Sequence, residues 1–393
     1  MSAPIVSFDN TEIAFASKSN GDLNRAYYLF KVISFNWLVK IAPPFVDAAL
    51  ALHLPVKGII RATAFKHFCG GESIEDCTKT VEELGKYNIG TILDYSVEGK
   101  ETESDFEHSL HETLACIERA KNNKHIPFSV FKLTGFARFA LLEKVNRKET
   151  LTPGEQEEFN RVKMRVEKIC AAADVANVPV FIDAEETWIQ DVIDGLATEM
   201  MVKYNKSRVL IYNTLQMYRT DKNRYLADCY QHAVSNNYLL GIKLVRGAYM
   251  EKERDRALKM HYPSPIQPDK ATADKDYDDA LRFCVSHLDR ISICAGTHNE
   301  KSSELLLNLM AENNIPANHP HIWFSQLYGM SDHISFNLAK EGYNVAKYVP
   351  YGPVAYVLPY LIRRAQENTS VKGQTGRELA LIETEKMRRK NFR

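Results

Sequence analysis

From residue 63 onward, short apolar runs of strand length alternate with longer segments whose apolar positions recur at helical spacing. The runs are Thr63–Phe68, Thr91–Tyr95, Phe128–Leu133, Val178–Asp183, Val209–Thr214, Leu239–Val245, Ile293–Thr297 and Ile322–Gln326. Helical periodicity fills the gaps at Ser109–Lys121, Gly154–Ala173, Thr187–Tyr204, Arg224–Asn236, Asp274–Leu288 and Glu300–Asn313. Within the runs hydrophobicity is continuous rather than alternating, which indicates strands buried on both faces in a parallel sheet covered by helices. Eight strand-then-helix units predict an α/β fold, a (β/α)8 barrel, with a doubly wound open sheet as the alternative. A ninth extended run, Val345–Pro350, with a helical pattern after it, exceeds an eightfold repeat and predicts a barrel distorted near its end.

Residues 1–62 carry no strand-like run and predict a helical arm, leaving 63–393 as the barrel domain. Tyr27, Tyr28, Phe30, Phe35, Trp37 and Leu38 are its anchors, and Pro43, Pro44 and Pro55 punctuate it. Its most apolar stretch, Ile41–Leu54, is interrupted by two prolines and Asp47 and is too short to span a bilayer. The acidic segment Glu98–Glu107 predicts a surface loop or helix start. The basic Lys386–Arg393 predicts a solvated helix end.

Composition narrows the function classes. Fifty basic residues balance fifty acidic ones over 393 positions, so no global field draws the chain toward nucleic acid. Seven cysteines stand singly with no C-x-x-C pair, which argues against a disulfide framework or a zinc ribbon. No secretory signal opens the chain, and a soluble, cytoplasmic protein, at most peripheral to a membrane, is expected. There is no G-x-G-x-x-G, no phosphate loop, no H-E-x-x-H and no G-x-S-x-G.

Chemistry in such a barrel collects where strands run out at their C-terminal ends. Polar residues stand there in run after run: Lys132, then Asp183 before Glu185 and Glu186, then Asn213–Gln216, Lys243 with Arg246, and Thr297 with His298. A single strand-end aspartate is commonly a helix cap, but five such ends converging are costly unless paired or used. On the last helical segment Tyr360, Arg363, Arg364 and Glu367 share one face at i, i+3, i+4 and i+7, next to the apolar stretch Val354–Ile362. Two guanidinium forks suit a carboxylate. These residues alone also admit an aldolase or lyase with Lys132 or Lys243 as Schiff base, or a ligand-binding barrel without catalysis.

Gly241–Tyr249 (GIKLVRGAY) and Tyr348–Asn368 (YVPYGPVAYVLPYLIRRAQEN) resemble the proline dehydrogenase family. Phe131–Thr134, FIDAEE at 181–186, Gln216–Tyr218, GTHN at 296–299 and Gln326–Gly329 are similar as well, so the likeness runs through residues 63–370. The chain looks like the stand-alone form, without a fused aldehyde dehydrogenase domain. The resemblance implies a distorted (β/α)8 barrel with noncovalent FAD that oxidises L-proline to 1-pyrroline-5-carboxylate. It implies that Arg363, Arg364 and Lys132 clamp the substrate carboxylate, and that Tyr348, Tyr360 and Leu327 shape the ring pocket with Asp183 and Tyr249 in support. Gln216, Lys243, Val245, Arg246, Gly247, Thr297, His298 and Glu367 are the implied flavin contacts. Glu72 corresponds to a gate carboxylate that pairs with the first arginine. A membrane quinone is the acceptor the family commonly uses, which implies a peripheral site on the inner face of a respiratory membrane. Lys243 stands where some bacterial members carry arginine, and Met250 where some carry tryptophan. Tyr348 fits proline, since members preferring 4-hydroxyproline have a smaller residue there.

Overall fold

The computed structural model describes residues 6–35, 56–97, 99, 101–370 and 374–391, without the side chains of 56–57, 366–370 and 374–375. The expected arm anchors Trp37 and Leu38 and the prolines at 43, 44 and 55 lie outside these residues.

Eight parallel strands close into one barrel in sequence order: β1 (Ile89–Tyr95), β2 (Phe128–Phe131), β3 (Val180–Ile182), β4 (Ile211–Gln216), β5 (Leu240–Val245), β6 (Ile291–Gly296), β7 (Ile322–Leu327) and β8 (Val345–Tyr351). Most of their residues are buried, as continuous apolar runs require. The expected first strand, Thr63–Phe68, is not a strand. It is helical, entering from α1 (Val56–Ile60) through a π-helical turn at Arg61–Phe65 into α2 (Lys66–Phe68). Phe65 and Phe68 are buried while Lys66 is exposed, which is a helical spacing that a six-residue window cannot separate from a strand. The ninth run is the true eighth strand.

The chain divides into two compact units. In the one built from residues 99–325, β2 through β6 and the first residues of β7 pair in parallel, each with its sequence neighbour. Its long helices start where their sequence says they should. Thr102 and Asp105 form a reciprocal capping box for α3 (Glu103–Ala120), and Thr152 with Glu155 does the same for α4 (Pro153–Ala176), where Pro153 occupies the first turn. Further along lie α5 (Thr187–Tyr204), α6 (Met250–Met260) and α7 (Glu300–Glu312).

In the unit built from the remaining described residues, β1 and β8 pair in register over seven residues, Ile89 opposite Val345 through Tyr95 opposite Tyr351. The arm helix α8 (Asn20–Ile33) is capped by Ser19 and Asp22. It lays Leu23, Ala26, Phe30 and Ile33 against Phe65, Phe68, Val357, Leu361, Leu381 and Ile382. The last four of these come from α9 (Val354–Ser370) and α10 (Gln374–Asn391). The basic C-terminal segment is helical as far as it is described; Lys390 and Asn391 are exposed as a solvated helix end requires, while Arg388 and Arg389 are half-buried. Arg388 and Arg389 both donate to the fully buried Glu385 carboxylate, and Arg389 also donates to the backbone oxygens of Phe15 and Lys18.

Candidate active site

In the unit of residues 99–325, Lys132 and Asp183 are the first residues past β2 and β3, and Lys243 lies within β5. The Asp183 carboxylate accepts a short hydrogen bond from the Lys243 ammonium and has the Lys132 ammonium at 3.8 Å. Backbone pairing fixes the approach: the Asp183 N–H donates to the Phe131 oxygen at 2.9 Å. Lys243 is buried, at 5.3 Å from the Phe181 ring centroid. Two cations sharing one carboxylate leave the trio with a net positive charge, and buried charge of one sign invites an anion.

Past β5, Arg246 is held on three sides: Nε donates to Asp274 at 2.6 Å, one terminal nitrogen to the Thr297 hydroxyl at 2.8 Å, the other to Ser302 at 2.9 Å. Its guanidinium lies 4.4 Å from the Tyr277 centroid. Burial acts to raise the Asp274 carboxyl, but Lys270 and Arg246 outweigh it and hold the group below the usual carboxylate range. The next residue, Gly247, has φ +134, and a Cβ there would sit 2.3 Å from the Tyr218 ring, so backbone alone fits. The Met217 and Tyr218 N–H groups donate to the Val245 and Arg246 oxygens, tying the β5 end to the β4 end. Tyr249 is the N-cap residue of α6, and His298 stands between Thr297 and Asn299, which caps α7. Gln216, fully buried at the end of β4, donates its amide to the Glu185 backbone oxygen at 2.6 Å.

In the other unit, Tyr348 on β8 is buried, and its backbone oxygen accepts from the Tyr328 N–H at 2.8 Å, just past Leu327 at the end of β7. On α9, Tyr360 and Arg364 are buried and the guanidinium lies 5.0 Å from the tyrosine centroid, as one helix turn requires. Arg363 is half-buried beside them. Glu367 belongs to α9, with its side chain outside the described residues. Glu72 is ion-paired to Arg61 at 2.8 Å and accepts from the Val354 N–H at 3.4 Å, at the start of α9.

Among the described residues, contacts join Lys132 with Asp183 and Lys243, Gln216 with Val245, Arg246 with Thr297, and Tyr360 with Arg364. One participant was not expected. Glu185 stands two residues past Asp183, fully enclosed, and burial pushes its carboxyl up to about 7 against the Thr134 bonds and the Lys132 charge, which favour the ionised form. In the sequence it is hidden inside an acidic run that starts at Asp183, and its partners Thr134 and Gln216 lie dozens of residues away. Among the described residues no group of three His, Cys, Asp or Glu side chains is placed to hold a metal ion, and no helix is long and apolar enough to cross a membrane.

Known proteins share much of this sequence. The carbapenem antibiotics biosynthesis protein CarD of Pectobacterium carotovorum is 34% identical over 322 residues, covering 82% of this chain and 83% of that one. Proline dehydrogenase 1, mitochondrial, of Dictyostelium discoideum is 32% identical over 97% of this chain and 74% of its own length. The hydroxyproline dehydrogenase of Xenopus laevis is 30% identical over 95% and 88%. In the solved structure of proline utilization A from Bdellovibrio bacteriovorus, the matching region superposes with a TM-score of 0.72 at 18% identity. It covers 92% of this chain but only 38% of that longer one, a likeness of fold. The family model described as proline dehydrogenase matches residues 77–377, which takes in every strand of the barrel, and the chain belongs to the proline dehydrogenase family of oxidoreductases.

Proposed function

We propose that the chain oxidises L-proline to 1-pyrroline-5-carboxylate with FAD as its redox cofactor. The observation that carries this reading is the family match across residues 77–377 together with the Lys132–Asp183–Lys243 trio and the Tyr360–Arg364 pair on its framework.

The donor set on β5 and just past β5 and β6 fits a phosphate-bearing cofactor. It combines Lys243, an immobilised Arg246, the Thr297 hydroxyl and a glycine whose backbone a side chain would obstruct. Among the described residues the buried Thr214 hydroxyl on β4 has no hydrogen-bond partner, an orphan donor that a bound group would satisfy. In this reading Gln216, Lys243, Val245, Arg246, Gly247, Thr297, His298 and Glu367 hold FAD. When bound, FAD supplies the hydride acceptor, at N5, for the ring carbon next to the amine.

The chain's own residues orient and desolvate. Arg363, Arg364 and Lys132 bind the substrate carboxylate, guanidinium forks fixing its plane as well as its charge. Tyr348, Tyr360 and Leu327 close around the ring, while Asp183 and Tyr249 steady the cations and the helix start behind them. Glu72 serves as the gate carboxylate. Orientation of this kind removes much of the entropic part of the barrier. The amine must react as the free base, so turnover rises with pH across the amine's titration. A membrane quinone as the final acceptor, with the enzyme peripheral to the membrane, is part of the same proposal.

A second substrate, 4-hydroxyproline, is favoured by one finding, the similarity to a hydroxyproline dehydrogenase. The buried Tyr348 supports proline, because an added ring hydroxyl would meet a bulky aromatic rather than open space. A Schiff-base lyase is disfavoured: both lysines that could serve share the Asp183 carboxylate as ammonium partners. The visible spectrum of the purified protein before and after anaerobic L-proline tests the reading. A yellow protein that bleaches with L-proline, and less readily with 4-hydroxyproline, is expected. A colourless protein that takes up no flavin, or a borohydride-trapped adduct on Lys132 or Lys243, would overturn it.

A further inference from the structure

Glu185 lies where three parts of the site meet, and each part is attached to a different atom of it. Its two carboxylate oxygens accept from Thr134, one from the N–H at 3.1 Å and one from the hydroxyl. Thr134 is two residues past Lys132, in the short 3-10 turn that follows β2. The Glu185 backbone oxygen accepts the Gln216 amide at 2.6 Å. With one Nε2 hydrogen committed, the Gln216 side chain has its second N–H and its carbonyl oxygen left to offer. The Glu185 N–H donates to Gln190 at 2.8 Å, and Gln190 donates onward to Asp194, which also receives Asn213 at 2.8 Å and Lys222 at 2.8 Å. Gln190, Asp194, Asn213 and Lys222 are all buried, so the anchor behind Glu185 is rigid.

We infer that Glu185 is a positioning residue, whose carboxylate holds the Lys132 turn through Thr134 while its backbone oxygen sets the Gln216 amide. The inference rests on the proposed reading for what Lys132 and Gln216 touch; the geometry of the lock does not. The lock depends on charge state. An ionised carboxylate accepts both Thr134 donors in charge-assisted bonds, whereas a protonated one still accepts the N–H at one oxygen but reverses the other bond, donating to the Thr134 hydroxyl, and holds the turn with two weaker neutral bonds. Burial brings the group to about 7, within working pH. The charges around it are Lys132 on the β2 side and Glu186 on its own segment, with Asp183 nearby. Glu186 is itself paired to Lys252 of α6.

The test uses the purified FAD-loaded protein and tetrahydrofuran-2-carboxylate, which keeps proline's shape and acid group but has no titrating amine. Calorimetry gives its Kd between pH 6 and pH 8. If ionised Glu185 is what holds the lysine turn, the competent fraction falls from about nine-tenths at pH 8 to about one-tenth at pH 6, and Kd weakens about tenfold as pH is lowered. Glu185→Gln should bind as the wild type does at pH 6 and show no slope. Thr134→Val, which keeps the N–H, removes a bond that stabilises the anion, so its midpoint should move to higher pH. A wild-type slope that survives in Glu185→Gln, or a midpoint unmoved in Thr134→Val, overturns the inference and leaves the proposed function standing. Failure of the wild type to bind the analogue at any pH sinks the functional reading and this inference with it.

Discussion

Arg364 shows how much one side chain is asked to do. Its guanidinium is buried beside Tyr360 at 5.0 Å, with the apolar first turns of α9 before it. A charge in that position is tolerable only with a use, and a charge-assisted hydrogen bond to a carboxylate is worth roughly 2–3 kcal/mol. Arg364→Met keeps the stem and removes the fork, so the apparent KM for proline should rise about 30- to 150-fold while FAD stays bound. Steady-state kinetics with a flavin spectrum on the same sample checks both, and unchanged saturation would refute the clamp. His67 offers a second residue-scale prediction, on stability. Burial and the nearby Lys18 pull it down to about 4, and its ring donates to the Gly329 oxygen at 2.8 Å. Lys18, Asp332 and Arg25 are its charged neighbours. The unfolded chain takes up this proton near the ordinary histidine value of about 6.5, the folded chain only near 4. Stability from this group is therefore complete above roughly pH 6.5 and declines as pH falls toward 4. His67→Phe keeps the edge contacts to Phe30 and Phe68, and its denaturation midpoint should depend less steeply on pH across that window than the wild type's.

Elements were legible in the sequence where burial is two-sided and illegible where it is not. Eight of the nine predicted runs became strands because no helix hides six consecutive apolar positions in a water-facing layer. Thr63–Phe68 misled because a helix buried on one face by the arm also shows aromatic residues in a short window. What separates them is the exposed Lys66 between buried Phe65 and Phe68. The strand-end residues were legible for a related reason: a polar side chain directly after an apolar run has few structural excuses. Glu185 and Thr134 were not, since their bond spans 51 positions and nothing local marks it. The C-terminal helix α10 carries the same lesson in charge. Its basic end looks like a solvated terminus, yet Arg389 ties it to the arm through the Phe15 oxygen at 2.9 Å and the Lys18 oxygen at 2.8 Å. Arg389→Ala should lower unfolding free energy by about 1.5–3 kcal/mol, the scale of charged hydrogen bonds. It should leave proline KM unchanged, because no proposed substrate contact lies on α10. Urea titration and kinetics on the same variant decide whether the tie is structural alone.

At the scale of the whole molecule the chain crosses its own division. Strands β1 and β8, with the arm and the last helices, belong to one compact unit, and residues 99–325 to the other. Sequence order could not announce this, because the first and last strands become neighbours only when the barrel closes. Each unit has buried apolar residues of its own, so the framework is expected to fold without the cofactor. A flavin held by residues on β5 and just past β5 and β6 would bind the native barrel and not the unfolded chain. Linkage then sets the size of the effect: at a free FAD concentration one hundred times Kd, the native state gains about 2.7 kcal/mol. Stripped of flavin, the protein should keep its far-ultraviolet circular dichroism and melt cooperatively several degrees below the loaded form. Adding FAD should restore the transition in a concentration-dependent way, whereas riboflavin, which lacks the phosphates that Arg246 and Lys243 would meet, should restore little of it. Equal rescue by riboflavin would mean that the cations past β5 contribute nothing to cofactor affinity, and that Arg246 is clamped by Asp274, Thr297 and Ser302 for the barrel's sake alone.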